Sequence, residues 1–364
     1  MKKSSILFLF TLCIGNYFSQ VEILSAKEKA FKDSIAQINE AANASAEGKE
    51  AYNRGINLFS EKKTAESIKE FEKAILSDPK FLAAYYNKGV AENELEMFLA
   101  SASTFNKLLE IDSSYSKAYF QRAKAFFGLK EYDSAEKNYE KALKYDPTNV
   151  KIIYNYGVLR FMQQDYKDAI VKFTRCIQIE PNSAFYYNDR GSCYRMLGEL
   201  PKAIIDYEEA TKRNSNLAFV HNNIGTTKKK MKDFPGAMIA FNKAITVDPK
   251  FYMAYVNRGA TYFAQGKQVE AEKDFLQAKQ MNENCGQAYA NLASILILKK
   301  DFKNALDNAE IAISIDKYNG AAYLNRGIAK EMLRDMKGAC EDWHKAQDLG
   351  VELGKTYYST NCNN

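Results

Sequence analysis

Histidine is nearly absent: His221 and His344 are the only 2 in 364 residues. They stand far apart, and no cysteine lies near enough in sequence to either one to complete a metal-ligand set. A histidine-based metal centre is therefore not expected. Proline is scarce, 6 against 18 glycines, which argues against disordered linkers and favours helices. Neither a Gly-rich phosphate loop nor a G-x-S-x-G nucleophile motif occurs. Carboxylate pairs are everywhere and so single out nothing. Past residue 20 no apolar run is long enough to cross a membrane. A dense basic field is also missing: Lys and Arg number 51 against 45 Asp and Glu, a formal charge of +6. Nucleic-acid binding asks for more than that. These absences point away from an enzyme, a metal, a cofactor, a nucleic-acid partner and integral membrane insertion.

What is present begins with MKKSSILFLFTLCIGNYFSQ. Lys2 and Lys3 form a positive head, and Ile6 to Ile14 an apolar stretch too short to span a bilayer. Small residues follow at Gly15 and Ser19. The pattern predicts a cleaved secretory signal over 1–20, hence an exported chain, periplasmic or extracellular. Thr11 and Leu12 fit lipoprotein processing at Cys13 poorly. Cleavage would lower the formal charge to +4 (6 − 2) by removing Lys2 and Lys3. It would leave Cys176, Cys193, Cys285, Cys340 and Cys362, an odd number in a disulfide-permissive setting.

The strongest pattern is a repeated phrase. The chain reads AYNRG at 51–55, AYVNRG at 254–259 and AYLNRG at 322–327. Gly55, Gly89, Ala123, Gly157, Gly191, Gly225, Gly259, Ala293 and Gly327 follow one another at a step of 34 residues without an insertion. A strict period of this length means stacked supersecondary units rather than one compact core. With that small residue as position 8 of each unit, the units begin at 48, 82, 116, 150, 184, 218, 252, 286 and 320. Position 20 is then Ala or Ser throughout, from Ser67 to Ala339. Position 24 is aromatic except at Ala309, running from Phe71 to Trp343. Small residues at 8 and 20 allow two antiparallel helices to approach closely, and large ones at 4 and 24 fill the space between pairs. Gly, Asp or Asn near positions 14–18 turns the chain. Pro79, Pro147, Pro181 and Pro249 at position 32 end the second helix, although Ser113, Ser215, Glu283 and Lys317 stand there in other units.

This pattern resembles the tetratricopeptide repeat (TPR) family over about residues 48–350. The resemblance implies an all-α, right-handed superhelical α-solenoid of nine helix-turn-helix repeats. Residues 21–47 lie outside the register, and Phe31, Ile35, Ile38 and Ala42 could line one face of an N-terminal capping helix or linker. Residues 351–364 are expected to form a C-terminal capping helix and tail, because an end repeat has no neighbour.

Two ladders recur inside the units. Position 7 is basic at Arg54, Lys88, Arg122, Arg190, Arg258 and Arg326. Position 23 is acidic only at Glu70, Asp206, Asp274 and Asp342, always opposite an arginine. The two vary together, which predicts a structural Arg–carboxylate pair more readily than a ligand stripe. Position 6 is Asn in seven units, with Gln121 and Asp189 as exceptions. Asparagine is unfavourable mid-helix, so its amide should be bonded, either to an adjoining repeat or to a ligand; the first reading is preferred. Cys340 and Cys362 are candidates for a disulfide fastening the terminal helix, whereas Cys176 and Cys193 read as packed thiols and Cys285 as a free one.

In TPR proteins the first helix of each pair lines the concave groove, and helical spacing puts positions 2, 5, 9, 12 and 13 on one face. The candidate partner-binding residues there are Tyr52, Tyr86, Lys117, Phe120, Lys124, Phe127, Lys151, Tyr154, Phe161, Asn188, Arg195, Asn222 and Lys229. They describe an aromatic, basic floor that becomes polar and basic, and then apolar at Val256, Ala260, Ala290, Ile297, Leu324 and Ile328. The expected function is a non-catalytic, exported interaction scaffold holding an extended or acidic segment of a partner protein. The alternatives are a structural subunit of an envelope assembly stacking through the apolar end, and recognition of an anionic glycan or cell-wall polymer. The bland counterpart is ordinary packing aromatics with solvated lysines.

Overall fold

A computed structural model describes residues 46–362. The proposed signal segment and residues 21–45 of the proposed cap or linker lie outside the described residues. All regular structure among the described residues is helical. It falls into two compact units, whose described parts are 46–198 and 199–362.

The first unit holds α1 (Ala46–Ser60), α2 (Thr64–Ser77), α3 (Leu82–Glu94), α4 (Phe98–Ile111), α5 (Ser116–Gly128), α6 (Tyr132–Tyr145), α7 (Val150–Met162), α8 (Tyr166–Ile179) and α9 (Ala184–Met196). The second holds α10 (Leu200–Arg213), α11 (Ala218–Lys230), α12 (Phe234–Val247), α13 (Tyr252–Ala264), α14 (Gln268–Met281), α15 (Gly286–Leu298), α16 (Phe302–Ile315), α17 (Gly320–Met332), α18 (Met336–Asp348) and α19 (Glu352–Asn361). Within each unit every helix packs against its neighbours in the chain. Odd-numbered helices up to α17 are the first of each pair and carry positions 1–13.

The close approach inside a pair is visible at position 8. A Cβ built on Gly55 would lie 2.6 Å from the Phe71 ring, on Gly89 2.5 Å from Phe105, on Gly225 2.5 Å from Phe241, and on Gly327 2.4 Å from Trp343. The position-24 ring therefore lies flat against the backbone of its own first helix, which is why the small and large residues recur together. Position 8 is alanine where the ring is missing, Ala293 with Ala309, and also in the unit where Ala123 accompanies Tyr139. These rings are fully buried, as are Ala74, Ala142, Ala210, Ala244, Ala278, Ala312 and Ala346 at position 27.

The turn inside each pair departs from the sequence expectation. One residue per turn, at position 15, takes the left-handed conformation, yet it is glycine only at Gly198 and Gly266. Lys62, Glu96, Lys130, Gln164, Lys232, Lys300 and Arg334 adopt it with φ between 58° and 70°. The reason is the hydrogen-bond closure of the first helix. In the α5–α6 turn, Lys130 N donates to Phe127 O at 3.0 Å and Glu131 N to Phe126 O at 2.9 Å. This is the Schellman closure, which satisfies otherwise orphaned carbonyls and tolerates a strained non-glycine residue. The next residue caps the second helix: the side chains of Asp165, Asp233, Asp301 and Asp335 each accept from the backbone N–H three positions on.

The turn between pairs does not depend on proline. Asp112, Asn214, Asn282 and Asp316 precede the non-proline positions, and each side chain accepts from the N–H two residues on, at 2.8 to 3.0 Å. This Asx turn stops the second helix where Pro79 or Pro249 stops it elsewhere, and Asp78 and Asp248 make the same bond there.

At the end of the second unit α19 packs on α18. Trp343 meets Tyr357 at 5.0 Å and His344 meets Tyr358 at 5.0 Å. A disulfide joins Cys340 to Cys362. Cys176, Cys193 and Cys285 are buried thiols.

Candidate partner-binding face

The first unit gathers most of the expected face on α3, α5 and α7. Tyr86, Phe120, Phe127 and Tyr154 are half-buried, while Lys117 and Lys151 are exposed. Lys124 is half-buried, with its ammonium 6.0 Å from the centre of the Phe120 ring. Lys117 and Lys124 have no carboxylate within ion-pair distance among the described residues. Five expected residues are placed differently. Tyr52, Phe161, Asn188 and Arg195 in this unit, and Asn222 in the second, are all buried. They belong to the packing between helices and not to an open floor.

Geometry explains the difference. Each position-5 ring leans on the position-24 ring of its own repeat: Tyr52 on Phe71 at 5.9 Å, Tyr86 on Phe105 at 6.1 Å, Phe120 on Tyr139 at 6.2 Å and Tyr154 on Phe173 at 5.7 Å. Phe81, Tyr115 and Tyr186 cover the other side of Tyr52, Tyr86 and Tyr154. The aromatic row is thus half scaffold and half surface. Tyr52, lying between Phe71 and Phe81, keeps only 1% exposure.

The position-6 ladder bonds largely across repeats; Asn155 differs, its amide donating to the Lys151 carbonyl of its own helix at 2.8 Å. Asn87 donates to the Tyr52 hydroxyl at 2.8 Å, and Gln121 to the Tyr86 hydroxyl at 3.4 Å. In the second unit Asn257 donates to Asn222 at 2.9 Å, and Asn325 to the Ala290 carbonyl at 2.8 Å. A polar group mid-helix is tolerated because its neighbour in the adjoining repeat satisfies it.

The position-7 ladder is scaffold as well. Arg54 reaches Glu70 at 2.8 Å, and Arg258 and Arg326 grip Asp274 and Asp342 with two bonds each. Arg190 and Asp206 stand on helices of different units. Sequence reasoning missed a second contact, to position 25 of the preceding repeat. Arg258 donates to Asn242 at 2.7 Å, Arg190 to Thr174 at 3.1 Å, and Lys88 meets Glu72 at 3.4 Å. It also missed Arg160, which pairs with Glu136 and, at 2.8 Å, with Asp168, in the repeat where Tyr156 replaces the position-7 cation. The missing cation at position 7 was the signal that could have found it.

On the second unit's first helices, Lys229 is half-buried; burial lowers its pKa below the usual lysine value. Half of the apolar stretch there is core: Val256, Ala290 and Leu324 are buried, whereas Ala260, Ile297 and Ile328 are half-buried. Among the described residues no cluster of three His, Cys, Asp or Glu could hold a metal, and no helix is long and apolar enough to cross a membrane.

Comparison with known proteins agrees with this geometry. Tetratricopeptide repeat profiles match residues 116–149, 138–171, 220–251 and 240–273. A tetratricopeptide repeat protein from Parabacteroides merdae superimposes over 69% of this chain and 100% of its own, at 20% identity and a TM-score of 0.56. The chain is a tetratricopeptide repeat protein. The pilF structure from Pseudomonas aeruginosa shares the fold over 59% of this TPR chain and 97% of its own, at 18% identity and a TM-score of 0.51. RNA polymerase II-associated protein 3 of Xenopus laevis is 29% identical over 104 residues, covering 29% of this TPR chain. The match spans only 16% of that relative's length. A TPR fold of this kind is a protein-interaction scaffold, and TPR proteins bind peptides or proteins.

Proposed function

We propose that this TPR chain is an exported, non-catalytic scaffold that holds an extended, acidic segment of a partner protein along the first helices of its first unit. The observation that carries the reading is the pair Lys117 and Lys124. Both stand on α5 beside half-buried aromatic rings, and neither is neutralised by a carboxylate among the described residues. Partly exposed rings offer contact area at small entropic cost, and unneutralised lysines among them select anions. Export is supported by the composition of residues 1–20 and by the Cys340–Cys362 disulfide, since disulfides persist in oxidising compartments. The non-catalytic reading is supported by the repeat architecture itself, a scaffold that is generally non-catalytic.

The test is fluorescence anisotropy with a labelled, glutamate-rich extended peptide. Lys117→Glu with Lys124→Glu should weaken binding at least about tenfold, with a salt dependence shallower than the wild type's. Charge reversal at Lys137, an exposed lysine on α6, should leave it unchanged. Equal losses from both reversals, or from neither, would contradict the assignment of this face.

A further inference from the structure

Asp189 breaks the position-6 ladder. At the cross-repeat rungs described above, an amide of one repeat donates to the position-5 group of the repeat before it. At α9 the bond is reversed: the Tyr154 hydroxyl donates to Asp189 Oδ2 at 2.8 Å, and the Asn188 amide donates to Oδ1 at 2.9 Å. An asparagine at 189 would complete the ladder without a charge, as Asn87 does against Tyr52. The carboxyl is half-buried, and no Lys, Arg or His nitrogen lies within ion-pair distance of it among the described residues. Burial raises its pKa to about 6, although the bonds from Tyr154 and Asn188 pull it down. Near neutral pH it is therefore a charged group held by two neutral donors, on a unit whose other inner-face charges are mainly lysines. Uncompensated buried charge is costly, and a carboxylate perturbed in this way marks a candidate site.

We propose that Asp189 seats a cationic group of the bound partner, an arginine or lysine side chain, next to the acidic stretch held by Lys117 and Lys124. The inference rests on the proposed binding face and specifies its ligand further. Lys117 and Lys124 stand on α5, Lys151 on α7 and Asp189 on α9, successive first helices of one unit. Packed helices lie about 8–10 Å apart, and an extended chain advances about 3.3 Å per residue. The complementary segment thus carries its basic residue a few residues beyond its acidic ones. A cation there adds charge-assisted bonds to a carboxylate that now has neutral donors alone.

The experiment uses the full chain and labelled peptides of four glutamates, a short glycine spacer and one terminal residue, made in both chain directions. That residue is arginine, or citrulline, its neutral isostere. The wild type should bind the arginine peptide about tenfold more tightly than the citrulline peptide, in one direction. Asp189→Asn should erase that preference and leave citrulline-peptide affinity unchanged, with an unaltered circular dichroism spectrum. In the wild type the arginine peptide should also lower the Asp189 carboxyl titration seen by 13C NMR. Equal affinity for the two peptides, or a preference that survives Asp189→Asn, overturns the seat while sparing the lysine face. If neither peptide binds, or Lys117→Glu with Lys124→Glu changes neither affinity, the face reading fails and the seat fails with it.

Discussion

Gly327→Ala sets two known effects against each other at one atom. Helix propensity alone favours alanine over glycine by about 0.8–1.0 kcal/mol in a helix interior. Packing opposes it. The added Cβ would lie 2.4 Å from Trp343 Nε1 and 2.5 Å from Cδ1, where unstrained contacts lie near 3.5–4.0 Å. The indole would have to retreat by about 1 Å. It has little room, being fully buried, with Tyr357 on α19 at 5.0 Å and α19 tied to α18 by Cys340–Cys362. Overpacking of this kind costs about 1–3 kcal/mol. The packing cost exceeds the propensity gain over most of that range, so a net loss of up to about 2 kcal/mol, centred near ~1 kcal/mol, is expected. Trp343 is the only tryptophan in the chain, and its fluorescence reports unfolding of the end where the clash occurs. Urea titration should place the Gly327→Ala midpoint below the wild type's. A higher midpoint would mean that propensity wins and that the small-against-large rule of this fold is not a matter of close contact.

Arg258→Met strands Asp274, which is only 4% exposed, and should cost about 3–5 kcal/mol, whereas Arg54→Met, at an exposed arginine whose partner Glu70 keeps Lys73, should cost under about 1 kcal/mol; paired denaturation curves compare them. The folded Asp189 pKa of about 6 lies above its usual 3.8, so its contribution to stability is fully present below pH 3.8 and is lost as pH rises to about 6. Burial, Glu180 and Asp189 itself push the Cys176 thiol up to about 12, outside that window. Asp189→Asn should therefore melt at a higher temperature than the wild type at pH 7.5 and gain little or nothing at pH 3.5. Reducing Cys340–Cys362, a sequence separation of 22 residues, should cost about 3 kcal/mol and shift Trp343 emission to the red as α19 loosens; unchanged emission would mean that packing alone holds the cap.

The fold was legible because one geometric demand is written many times. Gly225 and Phe241 are unremarkable alone, but the same pair 34 residues away at Gly259 and Phe275 fixes the register. The ladders were half legible. Covariation of Arg258 with Asp274 exposed the bond inside a repeat, yet the bond from Arg258 to Asn242 joins neighbouring repeats and leaves no such simple trace. The turns misled for a physical reason: Schellman closure forces position 15 into the left-handed region whatever its side chain, so Lys130 does there what Gly198 does elsewhere. The binding face was the least legible. Helical spacing puts Tyr52 and Phe120 at the same position, and only the packing of Phe81 against Tyr52 distinguishes a buried ring from a partly open one. Asp189 was seen only as an exception to the asparagine row, because reversal of a hydrogen bond is not a property of sequence.

The most direct measurement is site-specific photocrosslinking in the full chain, expressed in its native cells. A benzophenone amino acid replaces Lys117 on the first-helix face of the first unit, or Val171, which is 60% exposed on the second helix α8. The account predicts a crosslinked polypeptide from position 117, competed away by a glutamate-rich peptide, and none from 171. Crosslinks from 171 alone, or a product at 117 that the peptide does not displace, would contradict it.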